Sequence, residues 1–102
     1  MHMRAYLRVD HYVVDVLLRD LAGNDRRPAA FLVYLHLWAQ TWGAERRSVC
    51  SSHARIAAAT GLSRRTVQNA MSLLLRRRLV RAIRDSRTAV AEYVVARPWR
   101  HR

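Results

Sequence analysis

From Ser52 to Val80 the chain reads SHARIAAATGLSRRTVQNAMSLLLRRRLV, and the break at Gly61-Leu62-Ser63 constrains its fold more than any other feature. A short Ala-rich stretch leads into the break and a longer, apolar-striped stretch leaves it. Gly61 has no side chain to resist a left-handed backbone, so it suits a sharp bend between two helices. Leu62 is placed to drop back onto the pair. Ser63 is placed to cap the second helix by accepting from its free backbone N–H groups. Past the cap, Val67, Ala70, Met71 and Leu74 recur at helical spacing and predict an inward face, with Arg64, Arg65, Gln68, Asn69 and Ser72 facing outward. Before the break, Ser52 is the expected N-cap of a helix to about Thr60. Ile56 and Ala57 point inward there, Ala57 being small where two helices must cross closely.

The flanks supply the rest of a core. Residues 4–9 alternate weakly and read as extended. From Asp10, which reads as an N-cap, Val13, Val14, Leu17, Leu18 and Leu21 repeat at helical steps until Gly23. A loop follows at Gly23–Arg27, and Pro28 fits the first position of the next helix, where its missing N–H costs nothing. That helix, Ala29 to Trp42, is apolar nearly all round, which demands burial on more than one side, in the core or at a subunit contact. Residues 44–47 read as a turn and 48–50 as a short strand. Beyond the striped helix, which should run to about Arg77, Val80, Ala82 and Ile83 face Val90, Tyr93, Val94 and Val95 across a turn at Ser86–Thr88. Such β-branched and aromatic runs predict a two-stranded hairpin. Pro98 should end it, leaving Trp99 to Arg102 as a loose basic tail.

Charge narrows the class of partner. Of 102 residues, 19 are basic, every one of them Arg, against 7 acidic, a net of +12. An Arg-only usage suits bidentate contact with phosphate or base edges, and equally fits a GC-rich genome. The excess is uneven. Residues 1–62 carry a net of +3 and residues 63–102 a net of +9, so the positive field sits on the second helix and everything after it. A polyanion is the expected partner.

The order helix, helix, short strand, bent helix pair and hairpin resembles the winged helix-turn-helix domain of bacteria, their plasmids and phages. IAAATGLSRRTVQNAMSLLLRRRLV is similar to the DNA-binding domains of GntR-type regulators, and to winged helices of plasmid replication proteins and DnaD-like primosome proteins. The resemblance implies a mainly α fold with a small β-hairpin. One domain would span residues 1–97, with the helix-turn-helix at about 52–77 and the wing at about 80–96, followed by a tail at 98–102. It further implies that the helix from Arg64 enters the major groove of double-stranded DNA while the wing holds adjacent backbone. Arg65, Gln68 and Asn69 are the expected base readers, since Arg, Gln and Asn can pair with guanine and adenine edges. Arg64 and Ser52 are expected on phosphate, with Ser63, Thr66 and Ser72 along the same face and Arg84 and Arg87 on the wing. These families usually carry Gly where this chain has Arg78, so the helix must end through another cap or a strained Arg. They also carry solvated residues at the positions of Leu73 and Leu75, which would be exposed in an isolated domain unless they meet the preceding helices or a partner.

Other chemistry is not signalled. The five His and single Cys show no metal-ligand spacing, and no nucleophile–base pair, Gly-rich phosphate loop or carboxylate pair stands out. Neither an enzyme, a cofactor nor a small-molecule ligand is expected. Cys50 excludes an internal disulfide framework and reads as a buried small apolar residue; a redox switch is the less common alternative. Trp38 and Trp42 read as core or dimer packing more than as an aromatic ligand pocket. Asp10, Asp15, Asp20 and Asp25 read as solubilising residues and caps. With no apolar run near a membrane span and no signal-peptide pattern, the expectation is a cytoplasmic protein with no membrane partner. A transcriptional regulator acting as a homodimer is the first expectation. The alternatives are a winged-helix interaction adaptor and a replication or recombination accessory factor.

Overall fold

The computed structural model describes residues 5–84 and 90–100, and of Arg84 only its place in a strand. Residues 5–10 form no strand, although weak alternation predicted one. Residues 11–24 are helical and contain two π-wound segments, Val13–Leu17 and Asp20–Asn24. Val13, Leu17 and Leu21 are buried on its inner side.

Helix α1, Pro28–Gln40, starts at Pro28 as its missing N–H predicts, and is the central element. It buries Ala30, Phe31, Val33, Tyr34, Leu37 and Trp38. Its end comes two residues sooner than the apolar run suggested. Thr41 Oγ1 donates to the Leu37 carbonyl at 2.8 Å, and a short 3-10 turn, Trp42–Ala44, follows. There the chain passes so close to the N-terminal segment that a Cβ on Gly43 would lie 2.3 Å from Leu7 Cδ1.

Strand β1, Val49–Ser52, leads directly into α2, His53–Thr60, and then α3, Arg64–Arg76. Strands β2, Val80–Arg84, and β3, Val90–Val95, form the predicted hairpin. β1 adds to it, giving a three-stranded antiparallel sheet in the order β1-β3-β2, with Val49 opposite Tyr93 and Val80 opposite Val95. Helices packed on such a hairpin-edged sheet make the expected mainly α winged-helix architecture.

Three side chains depart from expectation. Leu73 is buried in the common core, whereas Leu75 is exposed. Cys50 is exposed, because alternation along β1 turns Ser51 inward and Cys50 out. Trp99 is no loose tail. Pro98–Arg100 is a 3-10 turn, and the Trp99 ring stacks on Tyr12 with centroids 4.5 Å apart. Its Nε1 donates to Asp10 at 3.0 Å, so the Asp10 carboxylate holds the C-terminal segment.

The end of α3 answers the question posed by Arg78. Arg78 adopts φ +58. Its N–H donates to the Leu75 carbonyl at 3.1 Å, and that of Leu79 to Leu74 at 3.0 Å. This is the paired closure that normally uses Gly, with Leu79 and Leu74 both buried beneath it. A side chain in the left-handed region costs about 1–2 kcal/mol, partly offset for Gly by its greater freedom when unfolded. Arg78→Gly should therefore raise stability by about 0.5–1 kcal/mol. Urea titration should show a higher midpoint with an unchanged slope, and Arg78→Ala should show no such gain.

Candidate nucleic-acid interface

The bend before α3 is built as its residues dictate. Gly61 takes φ +79 and closes α2 through an N–H···O bond to Ala57 at 2.9 Å. Leu62 packs against the core. Ser63, extended, accepts from the Thr66 N–H at 3.0 Å, and its hydroxyl donates to Thr66 Oγ1 at 2.8 Å. Ser52 caps α2 in the same way, accepting from Arg55 N at 3.1 Å. Ser63 and Thr66 are thus committed to the cap, and Ser52 likewise. Any contact they make with a ligand must share these hydroxyls.

Val67, Ala70, Met71 and Leu74 are at most 2% exposed, so the whole inner stripe of α3 is locked against the core. Ile56 and Ala57 of α2 are buried beside it. The outer face follows from that lock. Arg64, Arg65, Gln68, Asn69 and Ser72 are all exposed. At 100° per residue, Arg65, Asn69 and Ser72 fall on one line along the rod. Arg76, also exposed, continues that line. Its place was visible in the 65–69–72–76 spacing, although within the Arg76–Arg78 run it reads as a solvated helix end.

Charge on the domain is sorted rather than spread. Arg77 forms ion pairs with Asp25 and, at 3.6 Å, with Asp20, tying the N-terminal helix to the end of α3. Arg97 and Arg100 pair with Asp10 at 3.8 and 3.3 Å, and the Arg97 guanidinium lies 3.5 Å from the centre of the Trp42 ring. Asp10, Asp20 and Asp25, expected as solubilising residues and caps, hold Arg77, Arg97 and Arg100 in ion pairs. No ion pair among the described residues engages Arg64, Arg65, Arg76, Arg78 or Arg81.

On the wing, Arg84 holds its place in β2, opposite Glu92 across a register irregularity. Arg87, the other expected wing contact, lies outside the described residues. Tyr34 and Trp38 of α1 are buried, whereas Trp42, in the turn after it, is exposed. Trp38 Nε1 donates to Arg8 O and Trp42 Nε1 to Val95 O. Tyr34 donates to Ala96 O at 2.9 Å. Burial, helped by the Asp10 charge and opposed by Arg97, raises the Tyr34 hydroxyl well above the usual tyrosine range. It serves as a donor joining α1 to the end of β3. Among the described residues no group of three or more His, Cys, Asp or Glu is placed to hold a metal ion. No described helix is long and apolar enough to cross a membrane.

If the Ser63 cap fixes the first turn of the outward face, its removal should be measurable. Ser63→Ala should lower stability by about 1 kcal/mol. Hydrogen exchange should speed up first at the amides of residues 65–67, with little change in the core of α1.

No protein-family model matches the chain, and no curated protein sequence matches it. Among solved structures it is similar to the AntR antimony-specific transcriptional repressor, with a TM-score of 0.51 and 24% identity. The match covers 97% of this chain and 78% of that one. At that identity the likeness speaks for the fold.

Proposed function

We propose that this protein is a sequence-specific, double-stranded DNA-binding regulator of transcription. In this reading α3 lies in the major groove, with Arg65, Gln68 and Asn69 at base edges, and Arg64 and Ser52 take phosphate. Ser72 lies along the same face, and Ser63 and Thr66 sit at its start. The wing, through Arg84 and Arg87, follows the flanking backbone. The observation that carries the reading is the exposed Arg65–Asn69–Ser72 line on a helix whose other side is fully buried. Because that helix cannot roll, its guanidinium and amide groups keep a fixed spacing, which base reading requires. The structural likeness to a repressor agrees with this.

Regulation would work by occupancy, in the cytoplasm. A few base contacts worth about 1–3 kcal/mol each give limited discrimination. A homodimer on a two-fold site, with half-sites spaced by about 34 Å, would double them. The grounds for pairing now lie less in α1, which is mostly interior, and more in exposed Val14 and Leu18 on the N-terminal helix and Leu32 on α1.

The reading is tested with a site selected from random duplexes. Arg65→Ala and Gln68→Ala should each weaken binding to that site about tenfold or more, with smaller losses on random DNA. Equal losses on both duplexes would count against base reading. For the wild-type protein, log affinity should fall with log salt by about 0.9 per phosphate neutralised. A flat salt response would favour the adaptor reading.

A further inference from the structure

One surface lies apart from the outward line of α3. Between the end of α3 and the outer edge of β2 is a cavity of about 620 Å³, lined by Leu75, Arg78, Val80, Arg81, Ala82 and Ala96. Leu75 lies ten residues beyond Arg65, about 15 Å along the helix. We infer that this groove docks an acidic, apolar segment of another protein, bound as an extended strand against β2.

Three observations specify that occupant. First, among the described residues β2 is an edge strand whose one strand partner is β3. Ala96 N–H donates to the Leu79 carbonyl at 2.9 Å. Alternation along an antiparallel pair then turns the N–H and C=O of Val80 and Ala82 away from β3, towards the open side. An added strand would find those groups ready to pair. The irregularity between Ala82 and Arg84 ends the straight edge, so the docking run is short.

Second, the floor is apolar. Leu75 is 38% exposed, and Ala82 and Ala96 are partly so. Small alanines leave room for an incoming aliphatic side chain, and Leu75 gives it a wall. Third, the rim is cationic. Arg78 and Arg81 are exposed, with no ion pair among the described residues. A segment alternating aliphatic and carboxylate residues would put the former on the floor and the latter on the guanidinium groups. DNA would use the rim and leave the floor wet. A second copy would bring the same two arginines against its own, which like-charge repulsion opposes.

The test uses the full chain and a synthetic peptide of about twelve residues alternating Val and Glu, with a control in which every Val is Ser. Both carry the same charge, so non-specific attraction to a +12 protein cancels. At about 0.15 M salt, anisotropy should show the Val peptide binding about tenfold or more tightly than the Ser peptide. Leu75→Glu and Arg81→Glu should each remove most of that preference, and Arg65→Ala should leave it intact. Both groove substitutions are at exposed positions, and either alone suffices if the other variant fails to fold. Amide shifts on binding should centre on residues 75–82 and 96. Equal affinity for the two peptides, shifts centred on residues 64–72, or indifference to both groove variants would overturn the inference. So would a dimer that Leu75→Glu dissociates, because the occupant would then be a second copy. None of these outcomes bears on base reading, which the Arg65 and Gln68 variants test separately.

Discussion

The packing of α3 on α1 is the contact from which the rest of the architecture takes its orientation. Val67, Ala70, Met71 and Leu74 are all but sealed, and burying each large aliphatic side chain contributes about 1.5–3 kcal/mol. Rotating α3 by even one residue, about 100°, would carry this stripe into water and bring arginine into the core. Ala70 of α3 and Ala57 of α2 are both small and buried, which suits two helices that pack on each other. The outward face is therefore not an independent feature. It is what remains once the inward face has been fixed.

Charge placement reinforces that division. The acids of the first part of the chain do not dilute the positive field evenly. Asp20 and Asp25 are spent on Arg77, and Asp10 on Arg97, Arg100 and the Trp99 indole. These pairs are partly solvated, where each is worth about 0–1 kcal/mol, so their main effect is positional. They close the N-terminal helix onto the end of α3 and the C-terminal turn onto Asp10, and leave the cations of α3 facing solvent. A uniformly decorated surface of equal net charge would attract a polyanion without orienting it.

The bend, both serine caps, the inner stripe of α3 and the hairpin were legible because each is encoded within a few residues. Gly61 and Ser63 act on their neighbours, and helical or strand periodicity needs only a turn or a pleat to declare itself. Features fixed by distant partners were not legible. Trp99 reads as part of a frayed tail because its partners, Tyr12 and Asp10, are almost a whole chain away. Leu73 stands where the resembling families carry solvated residues, yet it is buried in this chain's core. Cys50 was misjudged by residue type where strand phase decided the matter. The π winding of residues 11–24 has no counterpart in their apolar spacing, which ordinary helical steps fit equally well. Of the candidate site, the side chains on α3 could be placed from sequence. Arg76 was visible only through its spacing from Arg65, Asn69 and Ser72, and Arg87 lies outside the described residues.

The joint between α3 and the sheet determines how these parts can act together. Only Arg77 to Leu79 separate the helix from β2, and all three are engaged: Arg77 by its ion pairs, Arg78 by its left-handed closure, Leu79 by burial. Leu79 donates to α3 through its N–H and accepts from Ala96 through its carbonyl, so one residue is hydrogen bonded to both elements. A linker of this kind has no soft torsion to spare. In the proposed complex, helix and hairpin would meet the duplex as one body, and a mismatch between their spacing and the grooves would fall on the DNA. In that complex, sequence preference would come from deformability of the duplex as well as from base edges, which would give positions the protein never touches a share in choosing the site.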